Sequence, residues 1–446
     1  MIVPTMRESR DKLRAGSAKK EITPAVGTPL SGFIARLGVS TRTADRLYTR
    51  ALVLSDGKAT FVLVQLDLLA VGSWHVQAIR DLCEARWKIP AASVLIAATH
   101  THSGPGMVAV RGCLLSPLDY QWSIVHRTLE AIREAHAALS PARIFSSRIP
   151  FRLGVNRRQM TETGITLGVD MRKPAPQFLD ILKITVRHGK SCVVFSHAAH
   201  PYILGGDQRL ISGDFPSAAC QALERSRKTV AIFLNGCAGD IAPLRAFEGY
   251  AAVREEGSRM AEAVLAVSGN ARELRSTPLG AAHERVCLPF RKLPTFDQLR
   301  AMKTEHESTV RPAERTNPGV AEKIRSAIDD WATSLETVIQ GTSSLDPVFA
   351  EVQILRIGDF CLVGLSGEPF FSLGELIRKS GRARVTWVAG YCNAYSGYLP
   401  TARAFDEGGY EVSDSYRYLG IWQIDRSSAG RVVRRARELM KTVYEK

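Results

Sequence analysis

Two apolar runs in this 446-residue chain each end in a pair of histidines. Residues 92–102 read ASVLIAATHTH and close on His100 and His102, after which Ser103-Gly104-Pro105-Gly106 turns the chain sharply. Side chains two apart on an extended strand share a face, so both imidazoles can converge on one point. Residues 191–201 read SCVVFSHAAHP and carry His197 and His200. Neutral imidazole is the commonest zinc ligand, and strand ends beside Gly-Pro loops suit a metal site. The plain alternative is two hydrogen-bonded histidine pairs near the surface. Four of the ten histidines lie at these two places. A shared metal would require both strands to be neighbours in space, a strong demand on the fold.

The rest of the chain interleaves strand and helix patterns. Residues 51–71 read as a hairpin turning at Asp56-Gly57, and 181–201 as another turning at His188-Gly189. Residues 75–87 and 119–139 have helical spacing, as does the segment after Ser212 and Asp214, with either residue as N-cap and Pro216 in the first turn. Strands follow at 229–240, 349–368 and 383–391. The expected class is α/β, with mixed β-sheets flanked by helices, because several strand pairs are joined by hairpins. Residues 1–16 read as a polar tail and 17–446 as one domain. Within it, 290–345 is charged and helix-compatible, a helical excursion from the core.

Lys and Arg exceed Asp and Glu by 59 to 44, a net charge of +15. Such a balance suits nucleic acid or an anionic membrane, but equally a solvated basic surface, and no motif calls for nucleic acid. The basic stretch at 431–441 sets Val432, Val433, Ala436 and Leu439 on one side, as an amphipathic helix does. Eight cysteines without a CxxC spacing favour a reducing compartment. No apolar run approaches the length that spans a bilayer, and the first residues lack the apolar region of a signal peptide. Cytoplasmic location is the expectation, with peripheral membrane contact compatible with the charge.

At the level of motifs, ATHTHSGPG, FSHAAHP, NGCAGDIAP, GEPF and the tyrosine-rich stretch beyond it resemble the neutral/alkaline ceramidases. KKEITPAVGTPLSGF, residues 19–33, resembles that family's opening segment. The match runs in order from about residue 18 to about residue 420, the family's catalytic domain. The family's C-terminal immunoglobulin-like domain is therefore not expected. The resemblance implies one Zn²⁺ per chain held by His100, His200, Glu368 and Tyr398. Tyr395 is the competing tyrosine; Tyr410, twelve residues beyond Tyr398, matches a second family tyrosine and selects Tyr398. Substrate-facing catalytic roles fall to His102, Arg157 and Tyr410, while Arg158 reads as a surface cation. His197 reads as support or packing.

These residues imply an amide hydrolase that cleaves an N-acyl bond in a lipid or a smaller N-acyl amine. A zinc ion with an open position activates water and polarises a carbonyl. One departure stands out: Ala242 occupies the loop position where the family has Ser, and alanine can neither attack nor donate a hydrogen bond. That keeps two alternatives in view, an impaired relative that binds lipid or amine without turnover, and a metal hydrolase acting on another ester-type bond.

Overall fold

The structure, a computed structural model, describes residues 13–226, 228–267 and 271–445. Most of the expected tail, residues 1–12, lies outside the described residues. The remainder of that stretch is not tail: the first strand is Arg14–Glu21, and Leu13 and Ala15 are buried.

Eight strands run across the main sheet in the order Thr229–Asn235, Ser191–His197, Phe178–Val186, Ser140–Pro150, Arg14–Glu21, Tyr48–Ser55, Thr60–Leu66, Val94–Ala98; Arg272–Leu274 adds to Ser140–Pro150. The outermost pair at each end is parallel and the rest are antiparallel. The hairpins expected at Asp56-Gly57 and His188-Gly189 are both present. A second sheet is built from Leu279–Leu288, Val348–Ile357, Phe360–Leu365 and Val385–Ala389.

Side-chain alternation sorts these sheets into four layers. On strand Tyr48–Ser55, Leu52 and Leu54 face inward and join Leu355, Leu362 and Trp387 of the second sheet. Ala51 and Val53 point the other way, against Val76 and Ile79 of helix Ser73–Trp87 and Ile124 and Leu129 of helix Leu118–Ala137. Helices Asp214–Ser226 and Tyr250–Ala266 cover the far part of the main sheet. Helix Ser428–Glu445 covers the second sheet through Val432, Val433 and Ala436, the face its spacing predicted.

The excursion at 290–345 is helical as expected, with helices Phe296–Thr316 and Pro318–Ile339 meeting at Asn317. It is seated rather than free. Trp331 and Leu335 pack with Tyr416 and Trp422, and Lys323 Nζ donates to the carbonyl of Arg36 at 2.8 Å.

One buried charge network fastens helix to sheet. Arg50, fully buried, donates to Asp67 at 2.9 Å and to Glu224 of helix Asp214–Ser226 at 2.9 Å. Asp67 also accepts from Tyr48 N, Gln65 Nε2 and Ser217 Oγ. Removing the guanidinium would leave Asp67 buried without its counter-charge and Glu224 with Lys19 alone. Arg50→Met is therefore expected to destabilise the fold by about 3–5 kcal/mol in chemical denaturation. A loss below about 1 kcal/mol, the scale of a surface ion pair, would contradict this account.

Candidate metal centre

Strands Val94–Ala98 and Thr229–Asn235 stand at opposite ends of the strand order, yet their C-terminal ends meet. The side-chain amide of Asn235, wholly buried at the end of its strand, bridges them. Its Nδ2 donates to the carbonyls of Thr99 (3.2 Å) and Ala199 (3.1 Å), and its Oδ1 accepts from Ala199 N (3.3 Å). One side chain thus joins the residue before His100 to the residue before His200.

His100 and His102 do not reach their positions by strand alternation. The strand ends at Ala98, and His100 takes φ +73°, a left-handed conformation rare for residues other than glycine. That twist seats His100 N on Leu68 O (2.9 Å) and His100 Nδ1 on Leu69 O (2.7 Å), with the ring stacked on Tyr391. His200 Nδ1 faces Ala238 O at 2.7 Å. A carbonyl only accepts, so each Nδ1 carries the hydrogen and each Nε2 presents a bare lone pair.

Both lone pairs point at one carboxylate. Glu368 Oε2 lies 3.2 Å from His100 Nε2 and 3.0 Å from His200 Nε2. Glu368 is placed by a two-residue parallel ladder opposite Tyr398, and its loop is approached so closely by Gly239 that a Cβ there would lie 2.4 Å from Glu368 O. The two imidazole lone pairs and the carboxylate oxygen, all buried, converge with no hydrogen between them. A cation satisfies such a group, and two nitrogens with a carboxylate suit zinc.

Ligand nitrogens from His100, His102 and His200 lie within 4.8 Å of one another, so this triad can hold a metal ion. His102 Nε2 is 3.3 Å from His100 Nε2, but His102 differs in one respect: its buried Nδ1 has no hydrogen-bond partner among the described residues. Burial, then the charge of Arg157, lowers His200 to about 4. Burial, then the neighbouring imidazoles, holds His102 well below its usual value. Both rings are neutral at pH 7, as ligands or proton acceptors must be.

The other expected residues form a second layer. Arg157 donates to Tyr398 Oη from Nη2 (2.9 Å) and to Glu411 from Nε (2.9 Å). The Tyr410 ring stands edge-on to Tyr398 at 5.9 Å. Of the two tyrosines weighed, Tyr395 is the one that donates to Glu368 Oε1 (2.7 Å), whereas the Tyr398 hydroxyl meets Arg157.

Arg158 is not a surface cation. It is buried and donates to Glu411 Oε2 at 2.7 Å and to Gly408 O at 2.8 Å. Neighbours on a strand ordinarily face opposite ways, but the ladder between Gly154–Thr161 and Gly164–Asp170 shifts register between Asn156 and Arg158. That irregularity lets adjacent arginines reach one carboxylate. His197 is structural. Its Nδ1 donates to Phe178 O (2.9 Å) and its Nε2 accepts from Gly154 N (3.3 Å), leaving no lone pair for a metal.

Glu411 and Tyr202 were not among the expected residues. Glu411 follows Tyr410 directly, and with Asp406, Glu407 and Asp414 close by in sequence nothing marks it out from its acidic neighbours. Tyr202 follows His200-Pro201, and its ring lies 5.4 Å from His200 and 5.5 Å from His102.

Comparison with known proteins gives a consistent picture. The family model for neutral/alkaline non-lysosomal ceramidase, N-terminal, matches residues 13–249. The neutral ceramidase of Pseudomonas aeruginosa is 25% identical over 431 residues, covering 82% of this chain. The chain spans 63% of the length of that relative. The crystal structure of neutral ceramidase from Pseudomonas aeruginosa superposes with a TM-score of 0.72 at 18% identity, covering 97% of this chain and 74% of that one. A structure described as ceramidase complexed with C2 gives 0.72 at 16% identity, covering 97% and 75%. At these identities the structural likeness speaks to the fold.

His100→Ala and His200→Ala are each expected to reduce the metal retained by the purified protein at least tenfold, read by elemental analysis. His197→Ala should leave it unchanged. Asn235→Leu, which touches no ligand, should weaken metal retention by about 10–100-fold through the loops it releases. Equal metal content in all four variants would remove the site.

Proposed function

Because the chain belongs to the neutral/alkaline non-lysosomal ceramidase family, we propose that it is a zinc-dependent amide hydrolase that cleaves the N-acyl bond of a ceramide-like compound or a smaller N-acyl amine. The observation that carries this reading is the acceptor-only meeting of His100, His200 and Glu368 beside a buried arginine. In this assignment those three residues and Tyr398 hold the ion. When bound, zinc supplies Lewis acidity at the carbonyl and activation of water at neutral pH.

The chain's own groups supply the rest. Arg157 is fixed by Glu411 and keeps its charge toward Tyr398, where it can stabilise an oxyanion developing on the carbonyl. Burial pushes the Tyr410 phenol above its usual range, so it stays protonated and can donate to the same oxygen. His102 is assigned to the proton rather than to the metal. A ligating histidine ordinarily has its second nitrogen tied to a partner, as His100 and His200 do. His102 has no such tie, so either nitrogen can take the hydrogen and pass it to the leaving amine. The products are a carboxylate and a free amine.

One observation favours a second reading, binding without turnover. Ala242 is buried in a small apolar cluster with Val155 and Tyr202 and brings no hydroxyl to the site. Turnover decides between the two. Hydrolysis of a panel of N-acyl amines should be measurable and should stop on chelation; a metal-replete protein inert on every amide would establish the binding reading. Chelator-insensitive turnover would end the metal mechanism.

His102→Gln is expected to lower kcat by about 10²–10⁴-fold while metal content stays at the wild-type level. Loss of metal in that variant would make His102 a ligand instead.

A further inference from the structure

Two of the three imidazoles at the centre are tethered through Nδ1 to a backbone carbonyl, and His102 is not. Its place has to be set from elsewhere. Residues 31–36, a short turn closed by Arg36 N on Phe33 O (3.2 Å), lie directly against it. Gly32 holds φ +103°, and a Cβ there would lie 2.7 Å from His102 Cβ, so the histidine rests on bare backbone. The Phe33 ring closes beside it, 4.9 Å between centroids.

Arg36 fixes this turn to the histidine. It is 3% exposed, and all five of its N–H groups are used. Nη1 donates to His102 O (2.8 Å) and Ser31 O (3.2 Å), Nη2 to Gly205 O (3.3 Å) and Ser103 Oγ (3.4 Å), and Nε to Gln208 O (3.0 Å). One planar group therefore joins three loops, residues 31–36, 102–103 and 205–208. The third follows Tyr202, whose ring stacks on Phe247 at 5.3 Å.

Every one of these acceptors is neutral. No carboxylate among the described residues forms an ion pair with Arg36. Burial lowers its pKa to about 10, which leaves it charged at neutral pH. Burying a guanidinium without a counter-charge is costly, and departures of this kind from good packing gather at functional sites. The turn is also held from outside. Lys323 Nζ, on helix Pro318–Ile339, donates to Arg36 O at 2.8 Å.

We propose that Arg36 is the positioning residue for His102, setting where the imidazole meets the substrate through the carbonyl it holds, and that helix Pro318–Ile339 anchors Arg36 through Lys323. This rests on the assignment of His102 to the proton. It gives the helical excursion a part in turnover, exerted at a distance.

Three measurements on the purified protein test it: steady-state kinetics, metal content, and nitrogen NMR of isotope-labelled histidines. Lysine keeps the charge of Arg36 but not its planar fork of donors. Arg36→Lys should therefore lower kcat about 10²-fold, with KM and metal content unchanged. In its spectrum the His102 signals should move while those of His100 and His200 stay. Arg36→Ala should lose kcat likewise and regain most of it on addition of guanidinium ion, but not of ethylammonium. Lys323→Met should lower kcat roughly fivefold. Wild-type kcat or unmoved His102 signals in Arg36→Lys, or equal rescue of Arg36→Ala by both cations, overturns the positioning role. So does a loss of kcat matched by a loss of metal, which a merely structural part would produce. Wild-type kcat in Lys323→Met overturns the helix's part. Were no amide cleaved by the wild type, the hydrolase reading alone would fail, and the His102 signals in Arg36→Lys would still decide whether Arg36 places the ring.

Discussion

The buried amide of Asn235 is the constraint on which the rest depends. Strand order places the histidine-bearing strand ends far apart in the main sheet, and only a closed arrangement brings them together. Asn235 satisfies the carbonyls of Thr99 and Ala199 and the amide of Ala199 at once. In a low-dielectric interior those backbone groups would be costly without partners, so the sheet ends are held where the amide can reach both. An apolar residue of the same size could fill the space but could not choose this closure over others.

The centre then inverts the usual logic of a folded interior. Buried polar atoms normally find a hydrogen between them, yet here backbone carbonyls of Leu69 and Ala238 take the only hydrogens that His100 and His200 possess. What remains is two lone pairs against a carboxylate. That arrangement is unfavourable by itself and becomes favourable around a cation, so metal binding and local stability are coupled. The left-handed backbone of His100 belongs to the same account: a strained residue persists where its surroundings over-determine it.

Much of this was legible in the sequence, and the failures have physical causes. Hairpin turns and the C-terminal helix follow from local patterns, and the structure has them. The convergence of His100 with His102 was expected for the wrong reason, because the alternating Thr99-His100-Thr101-His102 reads as continued strand and the left-handed turn at His100 leaves no mark in the sequence. Arg158 read as a surface cation because the resemblance selected Arg157 alone, and the register shift that lets both reach Glu411 is invisible without the partner strand. Tyr395 against Tyr398 was decided by spacing, whereas the contacts divide them: one phenol serves Glu368 and the other Arg157. Tyr202 carried no signal at all, being one aromatic among many until the fold placed it between two histidines and Phe247.

These placements give the site two unlike halves that share His102. On one side lie buried Arg157 and Glu411, with half-buried Tyr398 hydrogen-bonded to the arginine and Tyr410 edge-on to Tyr398. On the other lie Phe33, Tyr202 and Phe247, apolar and partly open to water. The first half fixes a charge, Arg157 being held by Glu411, while the second leaves Phe247 exposed in a left-handed conformation. The asymmetry about His102 thus sets a polar wall against an open apolar one, and the imidazole between them is the one of the three whose second nitrogen has no partner among the described residues.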